Sequence, residues 1–208
     1  MRGAVLKILA GSALAIGTLS VATPAMASVT FNTTGSTLTC GSAVNCTTGS
    51  STSINFNGLS LTYYDNASTT IDPTSAINLG GLQAIGTGPF DLTGALLNIL
   101  INQTVPGGSG SLPAGTLSGI ITQTSSGVTI SWLSPTVTIN GYIYSVTNNP
   151  LSIVPPNSCV GGICGFTSIQ GSVAAVPEPA TWGMMLLGFG AMGLALRRRR
   201  RPALTQIA

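Results

Sequence analysis

The side chains able to do chemistry in this chain are few. Between Ser28 and Val176 the only carboxylates are Asp65, Asp72 and Asp91, with no lysine, arginine or glutamate, and the whole chain lacks histidine. A serine nucleophile there would have no base. A cysteine nucleophile would lack the imidazole or cation that lowers its pKa. Hydrolysis by paired carboxylates would need two of the three aspartates to converge. Asp65 and Asp72 could share a calcium ion with backbone carbonyls, yet no EF-hand or RTX spacing accompanies them. As Asp65-Asn66 and Asp72-Pro73 they are also turn dipeptides. Gly107-Gly108-Ser109-Gly110 is not followed by the Lys-Ser/Thr of a phosphate loop, so Pro106 to Gly115 reads as a hairpin loop or lid. With no general base in reach, the expectation is a protein that is not an enzyme and carries no cofactor or metal.

The four cysteines offer a different chemistry. Cys40 and Cys46 enclose five residues, Cys159 and Cys164 enclose four, and both intervals hold small residues able to turn. Four cysteines allow three connectivities. The two local pairings, Cys40–Cys46 and Cys159–Cys164, are the simplest. A zinc site is disfavoured, because neither interval is CxxC and histidine is absent.

The densest pattern is Val176 to Arg201. Pro177-Glu178-Pro179 is a rigid extended segment, since each proline fixes its own φ and pushes the preceding residue out of the helical region. Glu178 is the only charge between Asp91 and Arg197. Residues 180–196 carry no charge and predict a transmembrane helix, about 26 Å long and just short of a ~30 Å hydrocarbon core. Arg197, Arg198, Arg199, Arg200 and Arg201 follow as a membrane stop on the cytoplasmic side, leaving residues 202–208 as a cytoplasmic tail.

Pro177-Glu178-Pro179, then Trp182, an apolar span and an arginine run, resembles the PEP-CTERM sorting domain, in its PEPxxWA form from Gram-negative bacteria. Gly183 stands where that form usually has alanine. The resemblance covers the tail only; such tails also carry the label of an ice-binding-protein C-terminal domain, which names the address and not the body. It implies recognition by exosortase, a membrane-embedded cysteine protease or transpeptidase, with processing near the Pro-Glu-Pro. It further implies export to the cell surface, often in connection with exopolysaccharide and biofilm.

Residues 1–27 read as a secretory signal peptide. Arg2 and Lys7 form the positive region, Ile8 to Val21 the apolar region, and Ala25-Met26-Ala27 the small-x-small site, with signal peptidase expected to cut between Ala27 and Ser28. Export places the cysteines in an oxidising compartment. The body is then held in the periplasm from the inner membrane until processing sends it to the surface or outside.

The net charge of +3 belongs to these signals, because all seven lysines and arginines lie in the two end segments. A body without cations cannot neutralise phosphates, so nucleic acid is excluded as a partner. Residues 28–175 are rich in Val, Ile and Thr, against the composition of disordered chains. Period-two alternation around Asn57-Gly58 would set Phe56 opposite Leu59 and Ile54 opposite Leu61. Around Asn140-Gly141 it would set Ile139 opposite Tyr142 and Val137 opposite Tyr144. Val128, Ile130 and Trp132 share another inward face. Ser75 to Ile85 reads as a strand with a bulge at Gly80-Gly81, and Leu92 to Val105 as a continuous buried strand. The expected fold is all-β, an antiparallel β-sandwich of jelly-roll type. Three functions fit: a surface or matrix protein, a carbohydrate-binding module stacking sugars on Trp132, Tyr142 or Tyr144, or an ice binder using Thr37-x-Thr39, Thr122-x-Thr124 and Thr136-x-Thr138.

Overall fold

A computed structural model describes residues 27–176 and 179–199. The signal peptide through residue 26, Pro177, Glu178, Arg200, Arg201 and residues 202–208 lie outside the described residues.

Alternation of apolar and polar residues sets the architecture. Strands Ser53–Phe56 and Leu59–Tyr64 pair with Phe56 opposite Leu59 and Ile54 opposite Leu61. Strands Thr136–Ile139 and Tyr142–Val146 pair with Val137 opposite Tyr144 and Ile139 opposite Tyr142. The second hairpin turns through Asn140 and Gly141 at φ of 46° and 80°, the double positive φ that matches strand twist. At the first, Gly58 takes a φ of 114°.

The largest sheet has seven strands, all neighbours antiparallel. It runs from Thr136–Ile139 through Tyr142–Val146, Phe166–Ala175, Ala76–Gly86, Leu59–Tyr64 and Ser53–Phe56 to Cys46–Ser50. A four-stranded sheet orders Gly107–Ser111, Leu100–Val105, Val29–Asn32 and Thr69–Ile71. A five-stranded sheet orders Leu151–Ser152, Thr129–Trp132, Gly115–Ser118, Leu96–Asn98 and Thr37–Thr39. Inward residues of all three sheets form one core. Phe31 of the four-stranded sheet meets Tyr144 of the seven-stranded sheet edge-on at 5.6 Å. Each fully buried Leu or Ile in this core contributes about 1.5–3 kcal/mol.

The strand order does not confirm the jelly-roll arrangement. A jelly roll is two Greek keys over eight strands. Here the sheets are unequal, and the two-residue turns at Asn57-Gly58 and Asn140-Gly141 keep successive strands as neighbours in one sheet. The body is a layered antiparallel β structure.

Two further expectations change. Residues 92–105 do not form one buried strand: Leu96–Asn98 belongs to the five-stranded sheet and Leu100–Val105 to the four-stranded one, with buried Ile99 between them. Leu97, Ile99, Ile101 and Gln103 are buried while their neighbours are half-exposed, so the stretch is period-two and its apolar run misleads. Buried Gln103 is satisfied, accepting from Tyr144 Oη at 2.8 Å and donating to Pro106 O at 2.6 Å. The glycine-rich segment is not a lid but an edge strand, Gly107–Ser111. A Cβ at Gly110 would lie 3.0 Å from Val137 and Ile139 side chains, so glycine lets the edges of two sheets close on each other.

The strand Ala76–Gly86 carries a bulge. Gly81 faces Ser168 and Asn78 faces Gln170, leaving Leu79 and Gly80 opposite Ile169 alone. Gly80 has a φ of 112°, and a Cβ there would sit 2.5 Å from Tyr63 Oη. The bulge admits the buried Tyr63 hydroxyl, which donates to Leu79 O at 2.5 Å and meets Thr33 Oγ1 at 3.0 Å. Burial raises the Tyr63 pKa above its ordinary value.

Candidate functional site

The long strand Phe166–Ala175 delivers the chain to its C-terminal segment. Ala175 pairs with Tyr142, and the Val176 N–H donates to Gly141 O at 2.7 Å. Tyr142 Oη also donates to Ala27 O at 3.3 Å. Ala27 and Val176, at the inner ends of the two segments read as processing signals, therefore each bond to the Asn140-Gly141 hairpin, Ala27 through the Tyr142 side chain.

Pro179 opens a helix, Pro179–Arg199, of 21 residues. Proline suits a first helical position, where its missing N–H leaves no bond unmade. Arg197, Arg198 and Arg199 close the helix. Trp182 is 57% exposed and Leu186 73%, and Leu187 and Phe189 are likewise uncovered. The expected transmembrane helix over 180–196 is not obtained: among the described residues no helix is long and apolar enough to cross a membrane. Gly183, Gly188, Gly190 and Gly193 interrupt its larger apolar side chains, which lowers hydropathy without adding charge.

Disulfides join Cys40 to Cys46 and Cys159 to Cys164. Cys40 and Cys46 pack against the core, whereas Cys159 and Cys164 close a small hairpin at the surface.

The aspartates lie on different elements. Asp65 follows Leu59–Tyr64, Asp72 follows Thr69–Ile71, and Asp91 ends Phe90–Asp91. Desolvation raises the Asp65 pKa. Hydrogen bonds from Thr93, including its N–H at 2.9 Å, hold the Asp91 carboxyl below the usual range. Among the described residues no group of three or more His, Cys, Asp or Glu could hold a metal.

The aromatic platform expected from Trp132, Tyr142 and Tyr144 is not formed. Trp132 and Tyr144 are buried and Tyr142 is half-buried at the hairpin. Burial pushes the Tyr144 pKa to about 12. The threonine pairs do not share a face either. Thr37 and Thr39 edge the five-stranded sheet, Thr136 and Thr138 edge the seven-stranded one, and the Thr122 hydroxyl is bonded to Ser125. Exposed Tyr64 instead lies against half-buried Phe166, ring centres 6.4 Å apart. Its signal was in the sequence: Leu59, Leu61 and Tyr63 point inward, so Tyr64 points out.

The family model described as the PEP-CTERM protein-sorting motif matches residues 175–200. No curated protein matches the chain, and neither does any solved structure. The motif marks an exported protein that is anchored at the membrane before exosortase processes it.

Proposed function

We propose that this is an exported, non-catalytic protein of the cell surface or extracellular matrix, released from its membrane anchor by exosortase at Pro177-Glu178-Pro179. One observation carries the reading: the motif match starts at Ala175, the last residue of the final strand. The processing segment thus follows the folded body without a spacer. Before processing, the exposed apolar side chains of the helix, among them Trp182, Leu186 and Phe189, hold the chain at the membrane. Glu178, the lone charge between Asp91 and Arg197, is the recognition handle between two prolines that keep the backbone extended. Signal peptidase acts at Ala27-Ser28, next to the same hairpin. After processing the protein serves an exopolysaccharide or biofilm matrix.

The test is fractionation of the native host with an antiserum to the body. Replacing Pro177, Glu178 and Pro179 with alanine should leave an unprocessed form in the inner membrane. Arrival of that variant at the surface at mature size would refute the sorting role.

A further inference from the structure

Three depressions join into one trench on the seven-stranded sheet. The first, about 840 Å³, lies between Val44–Thr47 and Pro89–Asp91. The second, about 450 Å³, shares Thr47, Phe56 and Asn57 with it. The third, about 390 Å³, shares Ile85 and Gly86 with the second and ends at Asn157. Along the middle, Thr47 faces Asn55, Asn55 faces Ser60 and Ser60 faces Ile85. These four residues form a cross-strand row about 14 Å long. All four are at least partly exposed.

Beside this row lies a second, in which Thr62 faces Gln83 and Gln83 faces Phe166. Tyr64 Oη donates to Gln83 Oε1 at 3.0 Å, and Gln83 Nε2 donates to Cys164 O at 3.0 Å. Tyr64 is 47% exposed, flanked by the tilted ring of Phe166 and held at its tip by Gln83. A ring fixed in this way offers a flat apolar surface at little cost in entropy.

We propose that this trench binds a neutral polysaccharide chain. The lining mixes the amides and hydroxyls of Asn45, Thr47, Asn55, Asn57 and Ser60 with apolar groups such as Phe90 and Ile85, which suits the hydroxyls and C–H faces of a sugar together, and Tyr64, beside the trench and bonded to Gln83 of its lining, supplies a stacking surface. Charge selects against anionic polymers: no lysine, arginine or histidine lies between Ser28 and Val176, while the Asp91 carboxylate stands in the trench. A protein partner is disfavoured because protein interfaces are enriched in Met and Arg as well as in aromatics, and the trench lining holds neither Met nor Arg. Its run over three depressions that share lining residues fits an extended chain better than a single small molecule. The proposal rests on the body alone and is independent of the sorting reading.

The test is affinity electrophoresis of the full chain in detergent, through gels containing dextran, barley β-glucan or galactomannan, with alginate as the anionic comparison. At least one neutral polymer should retard the protein, and alginate should not. The double variant Tyr64→Ala, Asn55→Ala should weaken retardation about tenfold, or roughly 1.4 kcal/mol. Thr138→Ala, exposed on the far edge, should leave it unchanged, and circular dichroism should show both variants folded. Passage through all three neutral gels without retardation would overturn the proposal, as would equal retardation by alginate or an unaltered double variant.

Discussion

The N–H of Val176 donates to the carbonyl of Gly141 at 2.7 Å, one residue before Pro177. The folded body therefore holds the chain up to the edge of the sorting segment. A cut at or after Pro177 removes no strand residue, since the last strand ends at Ala175. Mass spectrometry of the mature protein should find a C-terminus within the Pro-Glu-Pro region, and its melting temperature should equal that of the unprocessed chain. A terminus inside residues 166–175 would contradict this, because it would strip pairing from both Ala76–Gly86 and Tyr142–Val146.

The two disulfides should contribute similar loop entropy and differ in packing. They close separations of 6 and 5 residues, for which the chain-entropy model gives about 2 kcal/mol each. Cys40 and Cys46 also pack against the core. Replacing both by serine should therefore lower stability more than the same change at Cys159 and Cys164. Denaturant titration of the two double variants compares them directly. An equal loss would show that the packing of Cys40 and Cys46 adds nothing.

Trp132 is buried with its Nε1 unpaired among the described residues. Truncation to alanine leaves a cavity and should cost roughly 3–5 kcal/mol. Trp132→Phe should cost much less, because it keeps most of the ring and removes a buried donor whose desolvation costs about 1–3 kcal/mol. Chemical unfolding of the two variants separates these terms. Similar losses would mean that the indole N–H is not a liability in the fold.

Where alternation met a two-residue turn, the sequence was legible to the register. Phe56 opposite Leu59 and Val137 opposite Tyr144 follow from parity alone. Residues 92–105 were harder. Leu96 and Leu100 are apolar but face partly outward, because the chain changes sheets at Ile99 and each strand there is covered on one side. Gly107–Ser111 was hidden for the opposite reason: its strand has no side-chain pattern of its own, and although it pairs with its neighbour Leu100–Val105, its packing against Val137 and Ile139 joins residues distant in sequence. The sorting segment was legible because its signal is local in order and spacing. The trench was not, since its lining, from Asp91 past Asn57 to Asn157, is brought into line only by the pairing of strands distant in sequence.

The body should be insensitive to pH across the neutral range and vulnerable in alkali. Between Ser28 and Val176 no histidine or lysine titrates, and all four cysteines are bonded. Tyr144 is the group that sets the alkaline limit. Its folded pKa is raised by burial to about 12 from 10.0. The folded state therefore keeps a proton that the unfolded state releases. Its contribution is fully present below the unfolded pKa and is lost as pH rises through the folded value. Melting temperature should hold until near pH 10.0 and fall toward about 12. Tyr144→Phe should be less stable at neutral pH, because Gln103 Oε1 loses its donor, at a cost of about 1–3 kcal/mol. Its alkaline slope should be shallower, with Tyr63, also raised by burial, supplying the remainder. Melting curves of both proteins from pH 6 to 12 decide the matter. Parallel alkaline declines would show that Tyr144 does not control the limit.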